Sequence, residues 1–516
     1  MADRPSVHRE VERKLKVAPD FVVVDLVAHG VIARVIPGQP FQMNAAYHDT
    51  SDLRLVRWGA TLRRREGGAD AGWHLKLPVW GADHGTRDEL HLPLWSGSTG
   101  FVPAELADIV APLTRGERLI TVAWVHTTRT PSILIDHEGV EVAELVDDQV
   151  QVRNHHGQTV AEFREIEIEA LHTGADINQA GIQIVDRIAA VLIERGAEPS
   201  DVSKAAAALG ELAGEPPDIC VGRAPLPQDS ARDALRSIIA LHARHLVLAD
   251  VAVRRDLPDS IHQLRVAARR LRSTLRTLES LLDADWARTV EGELSWLASE
   301  VGLVRDTEVL LGRLSEQADA LGEPDAALVR ECTEGFLRRR LDGARGSALA
   351  ALRSERHDLL LEDLVRGSQD PPVTPLASQP CGEVLPTLAE RSWRRLERST
   401  RQLDQHADAD SWHRVRIRAK RARYAVESVE PLLADRGSRL ARRLADVTDV
   451  LGGIQDARIA QELLREMSAH PGVDAETAFA LGRGCQQQIA AERAGRAEFG
   501  RLWPEVRHAA KHARWA

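Results

Sequence analysis

The sequence predicts an α+β protein of several domains. An N-terminal antiparallel β-tunnel or barrel with flanking helices precedes an all-α domain of two helical bundles related by a pseudo-twofold axis. Three observations predict it. Up to about Ala170, short runs alternate charged and apolar residues with the period of two that belongs to strands. Beyond the linker strand signals vanish, and long runs rich in Ala, Leu and Arg keep helical spacing to the C-terminus. Within that helical part a segment repeats: His262, Arg265, Arg269, Arg270 and Arg272 return at the same spacing as His413, Arg416, Lys420, Arg421 and Arg423.

The first strand sets the theme. In Glu10 to Val17, the side chains of Glu10, Glu12, Lys14 and Lys16 share one face, and Val11, Leu15 and Val17 share the other, with Arg13 as the exception. Four further segments repeat the pattern. Arg63 and Arg65 share a face; His74 and Lys76 alternate with Trp73, Leu75 and Leu77; Arg87, Glu89 and His91 alternate with Leu90 and Leu92; Glu165, Glu167 and Glu169 alternate with Ile166 and Ile168. One such strand is most simply half-solvated. Five of them, some acidic and some basic, predict a barrel with its charges facing inward. Carboxylates gather hard cations, and Arg and Lys gather phosphates, so these are the ingredients of a metal–polyphosphate site. Turns are expected at Pro37-Gly38-Gln39-Pro40, Gly67-Gly68, 81–85 and Ser96-Gly97-Ser98. A helix is expected over Ile177 to Arg195, and an Ala-rich helix from Ser203-Lys204 to just before Gly214. Trp73 and Trp80 are expected in packing roles.

The first domain is placed at 1–210 and a Pro/Gly-marked linker at 211–228. The helical domain follows at 229–516, its repeats at about 229–366 and 382–516 on either side of a Pro/Ser-rich connection. His262, Arg265, Arg269 and Arg272 form one stripe along a helix, opposite Leu264, Leu271 and Leu275. Arg270 and Arg421 widen the two stripes. Like charges so close destabilise a free helix, so a polyanion or a carboxylate-rich neighbour should face them. Glu279, Asp306, Glu427, Glu430 and Asp456 could be that neighbour. A second repeated segment, Val301 to Asp306 and Leu451 to Asp456, has Arg305 in one half and Gln455 in the other, so the halves need not bind equally.

Composition narrows the function. At 516 residues the chain exceeds one compact core, and a net charge of −10 argues against bulk-charge binding of nucleic acid. Cys220, Cys332, Cys381 and Cys485 lie far apart, offering neither a zinc site nor a disulfide framework, so a reducing cytoplasm is expected. The N-terminus carries no apolar signal core, and the run from Phe21 to Val35 is broken by Asp25 and His29, so no membrane partner is expected.

The first half resembles the CYTH superfamily, the triphosphate tunnel metalloenzymes. Glu10-x-Glu12-x-Lys14 carries the resemblance, followed in order by Tyr47-His48-Asp49-Thr50, Leu62-Arg63-Arg64-Arg65, Lys76, Arg87-x-Glu89, Arg129, Asp147-Asp148, Glu165-x-Glu167-x-Glu169 and Ser203-Lys204. The resemblance implies hydrolysis of inorganic triphosphate to pyrophosphate and orthophosphate with Mg²⁺ or Mn²⁺. One ion would bind substrate and a second would position the attacking water. Glu10, Glu12, Lys14, Lys76, Glu165 and Glu167 would form the catalytic set. Lys14, Lys16, Arg63, Arg65, Lys76, Arg87, Arg129 and Lys204 would bind phosphate, with Lys204 plugging the tunnel. Glu10, Glu12, Asp147, Glu165, Glu167 and Glu169 would hold metal, with Asp148 and Glu89 as further candidates. Tyr47 and Asp49-Thr50 are expected to fix the fold.

The second half resembles the CHAD domain, the conserved-histidine α-helical domain, through its paired His-x-x-Arg helices and the Gly302 and Gly452 segments. That resemblance implies binding of long-chain inorganic polyphosphate along both stripes, and with it a place at polyphosphate granules. RNA is disfavoured because no aromatics interleave with the stripes, and a histidine metal site because each His stands among Arg residues. Two other functions stay open: an adenylyl cyclase or a thiamine or nucleoside triphosphatase on the same scaffold, or a polyphosphate-binding protein without turnover.

Overall fold

In the computed structural model, the described residues are 5–79, 86–154, 157–171, 179–200, 204, 206, 209–401, 403–513 and 515. Trp80, the 81–85 connection, Ile177 and Ser203 lie outside them. The chain divides into two compact units, Met1–Asp218 and Ile219–Ala516.

The first unit is built on strands β1 (Ser6–Val17), β2 (Arg34–Pro37), β3 (Phe41–Asp49), β4 (Thr61–Glu66), β5 (Gly72–Pro78), β6 (Thr86–Pro93), β7 (Ile120–Ile135), β8 (Glu141–Asn154), β9 (Thr159–Ala170) and β10 (Glu198–Pro199). Eight of them close into an antiparallel barrel in the order β1-β6-β5-β4-β3-β7-β8-β9 and back to β1; β2 joins β7 and β10 joins β1. Closure leaves the eight barrel strands without a free edge. It also gives every strand an inner and an outer row.

The outer rows of β1 and β9 are apolar. Val11, Leu15, Val17, Ile166 and Ile168 pack against Val185, Ile188 and Leu192 of helix α3 (Gln179–Glu194). (Two shorter helices precede α3: α1, Arg54–Arg57, and α2, Ala104–Thr114.) Arg13, the exception in the first strand, points outward too and pairs with Asp186 of α3 at 2.8 Å. The inner rows are charged over one length of the barrel and apolar over another. There Ala45, Tyr47, Ala123, Val125, Val150 and Val152 pack as a core.

Two helices of this unit were not anticipated. In α2, Leu106, Ile109, Val110 and Leu113 are buried at helical spacing, a period masked in the sequence by the strands around it. Helix α1 exists because Asp49 caps it: its carboxylate accepts from the backbone N–H of Thr50, Leu55 and Val56 at 2.7, 2.8 and 2.9 Å. Much of the expected Ala-rich helix from Ser203 lies outside the described residues; at its end, Glu211–Gly214 is a single 3₁₀ turn and not an α-helix.

The second unit is helical throughout. Its first half is α4 (Ala231–Arg254), α5 (Ser260–Thr277), α6 (Ala284–Glu300), α7 (Gly302–Ala318), α8 (Asp325–Leu352) and α9 (Glu355–Gln369). Among the described residues its second half has α10 (Cys381–Thr400), α11 (Ala409–Ser468) and α12 (Ala475–Lys511). The mismatch resolves inside α11. A straight helix would separate Arg423 from Thr448 by roughly 37 Å, yet Arg423 Nη1 donates to Thr448 Oγ1 at 3.0 Å. The helix therefore doubles back near Pro431 into two antiparallel arms. Gly437 permits the bend, since a Cβ there would stand 2.7 Å from Leu433 Cβ and 3.2 Å from the carbonyl of Glu430. The first arm repeats α5, and the second repeats α6 and α7.

Candidate functional site

The charged length of the barrel encloses a cavity of about 560 Å³. Seven cations line it (Lys14, Arg63, Arg65, Lys76, Arg87, Arg129 and Lys204) and seven carboxylates (Glu10, Glu12, Asp70, Glu89, Glu144, Glu167 and Glu169). They interlock as a ring. Lys76 Nζ lies 2.5 Å from Glu10 and Lys14 Nζ 3.0 Å from Glu167. The guanidinium of Arg129 donates to both oxygens of Asp148 at 2.9 and 2.6 Å and to Glu167 at 2.7 Å. Arg63 donates to the Tyr47 hydroxyl at 3.3 Å. The ring nitrogens of His74 lie 2.9 Å from Glu89 and from the carbonyl of Asp70.

Asp148, Glu165 and Glu167 converge, one oxygen from each lying within 4.8 Å of the others, a spacing that fits a metal ion. Here the Lys204 ammonium stands among them, at 2.9, 2.6 and 2.9 Å. It takes the place a cation would fill. Burial favours losing its proton, but Glu165, Glu167 and Asp148 outweigh it and hold Lys204 well above the usual lysine range. Glu167 is held well below the carboxylate range, burial being overcome by Lys14, Lys204 and Arg129.

The other end of the acidic row is under strain of a different kind. Burial, added to the nearness of Glu89 and Glu169, pushes Glu10 up to about 8 despite Lys76. Burial likewise lifts Glu169 to about 7, with Glu12 and Glu167 adding to the effect against Lys76. Glu12, between them, is held by Lys14 at 3.4 Å and Arg87 at 4.0 Å. Crowded carboxylates reluctant to ionise, Glu10 and Glu169, fit a missing cation. The all-oxygen set suits a hard ion such as Mg²⁺ or Mn²⁺.

Two expected site residues fall elsewhere. Asp147 is on the outer row of β8, where Arg164 holds it at 2.8 and 2.7 Å; the alternation turns Asp148 inward instead, fully buried. Lys16 is exposed, past the charged length of β1 and beside Glu198 of β10, and does not line the cavity. Tyr47, expected only to fix the fold, lines the cavity as well. Glu144 was missed, although it stands two steps of the same row before Asp148 and could have been found from that phase. Asp70, paired with Arg65, comes from a loop where no period exists. Trp73 is in the core, and Glu165 faces Lys204.

The second unit holds a larger cleft, about 1240 Å³, walled by α5, α6, α7 and both arms of α11. Nine of the ten expected residues line it; His413 is exposed and its Nδ1 lies 3.1 Å from Gln455 Oε1 instead. The carboxylate neighbours account for part of the charge. Arg265 pairs with Asp306, Arg270 with Glu427 at 3.3 Å, Arg423 with Glu427 at 2.7 Å, and Arg272 with Glu291 at 3.9 Å. Glu430 instead accepts from Ser438. The centre has no carboxylate partner among the described residues. Arg269 donates only to the Tyr424 hydroxyl, at 2.7 Å, and among the described residues Arg416 and Lys420 form no ion pair. Burial, with Arg416, Arg269 and Arg265 nearby, lowers Lys420 to about 7, and burial lowers Arg416 too, against the pull of Asp456. Arg276, Arg305, Asp449 and Asp456 also line the cleft, and the sequence stripes had not assigned them to a polyphosphate site.

Comparison with known proteins agrees with this division. The CYTH domain matches residues 8–197 and the CHAD domain residues 237–465. Two Mycobacterium tuberculosis proteins, MT2285 and Rv2226, are each 33% identical over 507 residues, covering 94% of this chain and 94% of their own. Among solved structures, PptA from Streptomyces chartreusis is similar over 54% of this chain and 100% of its own, at 25% identity and a TM-score of 0.47. The CHAD domain from the plant Ricinus communis is similar over 54% of this chain and 97% of its own, at 26% identity and a TM-score of 0.42. No helix of the described residues is long and apolar enough to cross a membrane.

Proposed function

Because the chain belongs to the proteins that join a CYTH domain to a CHAD domain, we propose that its barrel hydrolyses inorganic triphosphate to pyrophosphate and orthophosphate, and that its helical unit binds inorganic polyphosphate. CYTH proteins are metal-dependent tunnel enzymes that bind triphosphates, with triphosphatase or cyclase activity. The observation that carries the hydrolase reading is the balance of the cavity, seven cations against seven carboxylates. A polyanion alone would need only the cations. Carboxylates at equal number, two of them raised toward neutrality, call for a polyanion that arrives with metal.

Glu10, Glu12 and Glu169 would hold the metal, and Asp148, Glu165 and Glu167 could do so where Lys204 gives way. Bound there, a divalent ion supplies charge neutralisation and lowers the pKa of a coordinated water. The chain's own residues do the rest. Arg63, Arg65, Arg87 and Arg129 hold phosphate oxygens as planar forks, and Lys14, Lys76 and Lys204 act as point charges. Their existing ion pairs fix them before substrate arrives, so little reorganisation accompanies the build-up of charge in phosphoryl transfer. In the helical unit, the unpaired centre formed by Arg269, Arg416 and Lys420 supports polyanion binding, since a carboxylate-satisfied cleft would leave no lysine depressed to about 7.

The test is phosphate release by the purified chain with Mg²⁺ or Mn²⁺, from inorganic triphosphate, ATP, thiamine triphosphate and long-chain polyphosphate, beside a Glu10→Ala/Glu12→Ala control. Metal-dependent release from inorganic triphosphate, lost in the control, is the expected result. Consumption of ATP without free orthophosphate would replace the hydrolase by a cyclase. Retention of polyphosphate with no turnover of any substrate would leave a binding protein.

A further inference from the structure

A second basic cavity, of about 450 Å³, opens between α10 and the first arm of α11. Its lining is Ser392, Arg395 and Arg398 from α10, and Arg418 and Arg421 from α11. Each helix contributes an i, i+3 pair, so four guanidinium groups share one concavity. Among the described residues none of the four forms an ion pair. The acids nearby in sequence are committed elsewhere: Glu390 to Arg394 at 2.8 Å, and Glu397 to Arg507 at 3.6 Å. This differs from the main cleft, where most arginines have a carboxylate.

Arg421 lines both cavities and so joins them. Its guanidinium is lowered by burial and then by Arg276 and Arg272 from the main cleft, with Arg395 of the second cavity adding to them against Glu291. The arrangement is confined to the second half. In the first repeat Ala267 holds the place of Arg418, and Arg270, the counterpart of Arg421, is paired with Glu427. A solvated arginine-rich helix face would be convex and would mix in acids. Four arginines without a carboxylate partner, Arg398 held only by the carbonyl of Arg394 at 3.2 Å, around a hollow continuous with a polyanion cleft, form instead a place for more of the same polyanion. No aromatic side chain lines the hollow, which gives a nucleobase nothing to stack on.

We propose that this arginine cavity is an extension subsite for inorganic polyphosphate: a long chain held in the main cleft continues past Arg421 and lays its next phosphates between Arg395, Arg398 and Arg418. The inference rests on the polyphosphate reading of the main cleft. It makes the helical unit a reader of chain length, since only a polymer that overruns the cleft reaches the second cavity.

The experiment compares the full chain with an Arg395→Ala/Arg398→Ala/Arg418→Ala variant, all three positions being exposed so that folding is preserved. Binding is measured for polyphosphates of graded defined length, with circular dichroism as the folding control. Short chains should bind both proteins equally. Long chains should lose about tenfold or more in affinity in the variant, the sum of three exposed charge contacts, and Arg→Lys at the same positions should recover most of the loss. Equal losses at all lengths, or none at any length, would overturn the subsite while leaving the cleft. Failure of the unaltered chain to bind polyphosphate of any length would overturn the cleft reading itself, and the subsite with it.

Discussion

Lys420 offers a quantitative test of the helical cleft. Burial and the neighbouring Arg416, Arg269 and Arg265 depress it to about 7, against a normal lysine value of 10.5. The ammonium is thus the form the empty cleft disfavours, and a bound polyanion is what would restore it. Binding should therefore take up a proton whenever the pH lies above about 7. The sign follows: affinity is greatest below pH 7, where Lys420 is already charged, and declines as pH rises through its depressed pKa. The limiting slope is about tenfold in Kd per pH unit; since Lys420 is half charged at pH 7, pH 9 should bind roughly fiftyfold more weakly than pH 7. The internal phosphates of a long chain are fully ionised throughout this range, so the ligand does not titrate in step. Isothermal titration in buffers of different ionisation enthalpy would count the proton directly, and Lys420→Arg, charged at every pH used, should flatten the profile. A flat profile in the unaltered chain, with no proton taken up at pH 9, would refute the reasoning.

Three further outcomes follow from the geometry. Asp148→Asn should cost the barrel about 3 kcal/mol, the low end for a broken buried pair because Glu167 still holds both cations, whereas Asp147→Asn should cost under about 1 kcal/mol; urea unfolding followed on the barrel would show the opposite order if the inward and outward assignments were reversed. Arg129→Ala should lower triphosphate turnover by about a hundredfold or more, while Lys16→Ala should leave it within about twofold, as steady-state phosphate release would record. Gly437→Ala forces a Cβ into Leu433 and the Glu430 carbonyl, so it should destabilise the helical unit by about 1–3 kcal/mol, read as an earlier thermal transition with barrel turnover intact.

Much of the site was legible because strand alternation is a rigid rule. Glu10, Glu12 and Lys14 face inward since Val11 and Leu15 must face α3, and the same logic carries Arg63, Arg65, Lys76 and Glu167. The rule fails where two adjacent residues carry the same charge. Asp147 and Asp148 differ only in phase, and phase is set by the register with β7 and β9, which brings Arg129 opposite Asp148. It fails also at ends: Lys16 keeps the alternation but has run past the charged length. Residues from loops, such as Asp70, carry no period at all. In the helical unit the repeat showed the two stripes but not their enclosure, because the fold-back between Pro431 and Gly437 sits inside a run that keeps helical spacing on both sides. Arg395 and Arg398 lie on a helix outside the repeated motif, so only the packing of α10 on α11 brought them to Arg418.

The equality of opposite charges in the barrel cavity has a consequence for how the two units respond to ionic strength. A lining in which cations and carboxylates pair closely casts little field beyond its mouth, and its buried pairs are poorly screened by dissolved ions. The cleft of the helical unit carries an excess of arginine and lysine, and its grip on a polymer should draw on release of condensed counterions, as for other linear polyanions. Raising salt should thus strip polymer from the helices while leaving turnover of a small, metal-borne substrate nearly unchanged. The ionic composition of the surrounding solution alone could then set how much of the protein is tethered without altering how fast it works.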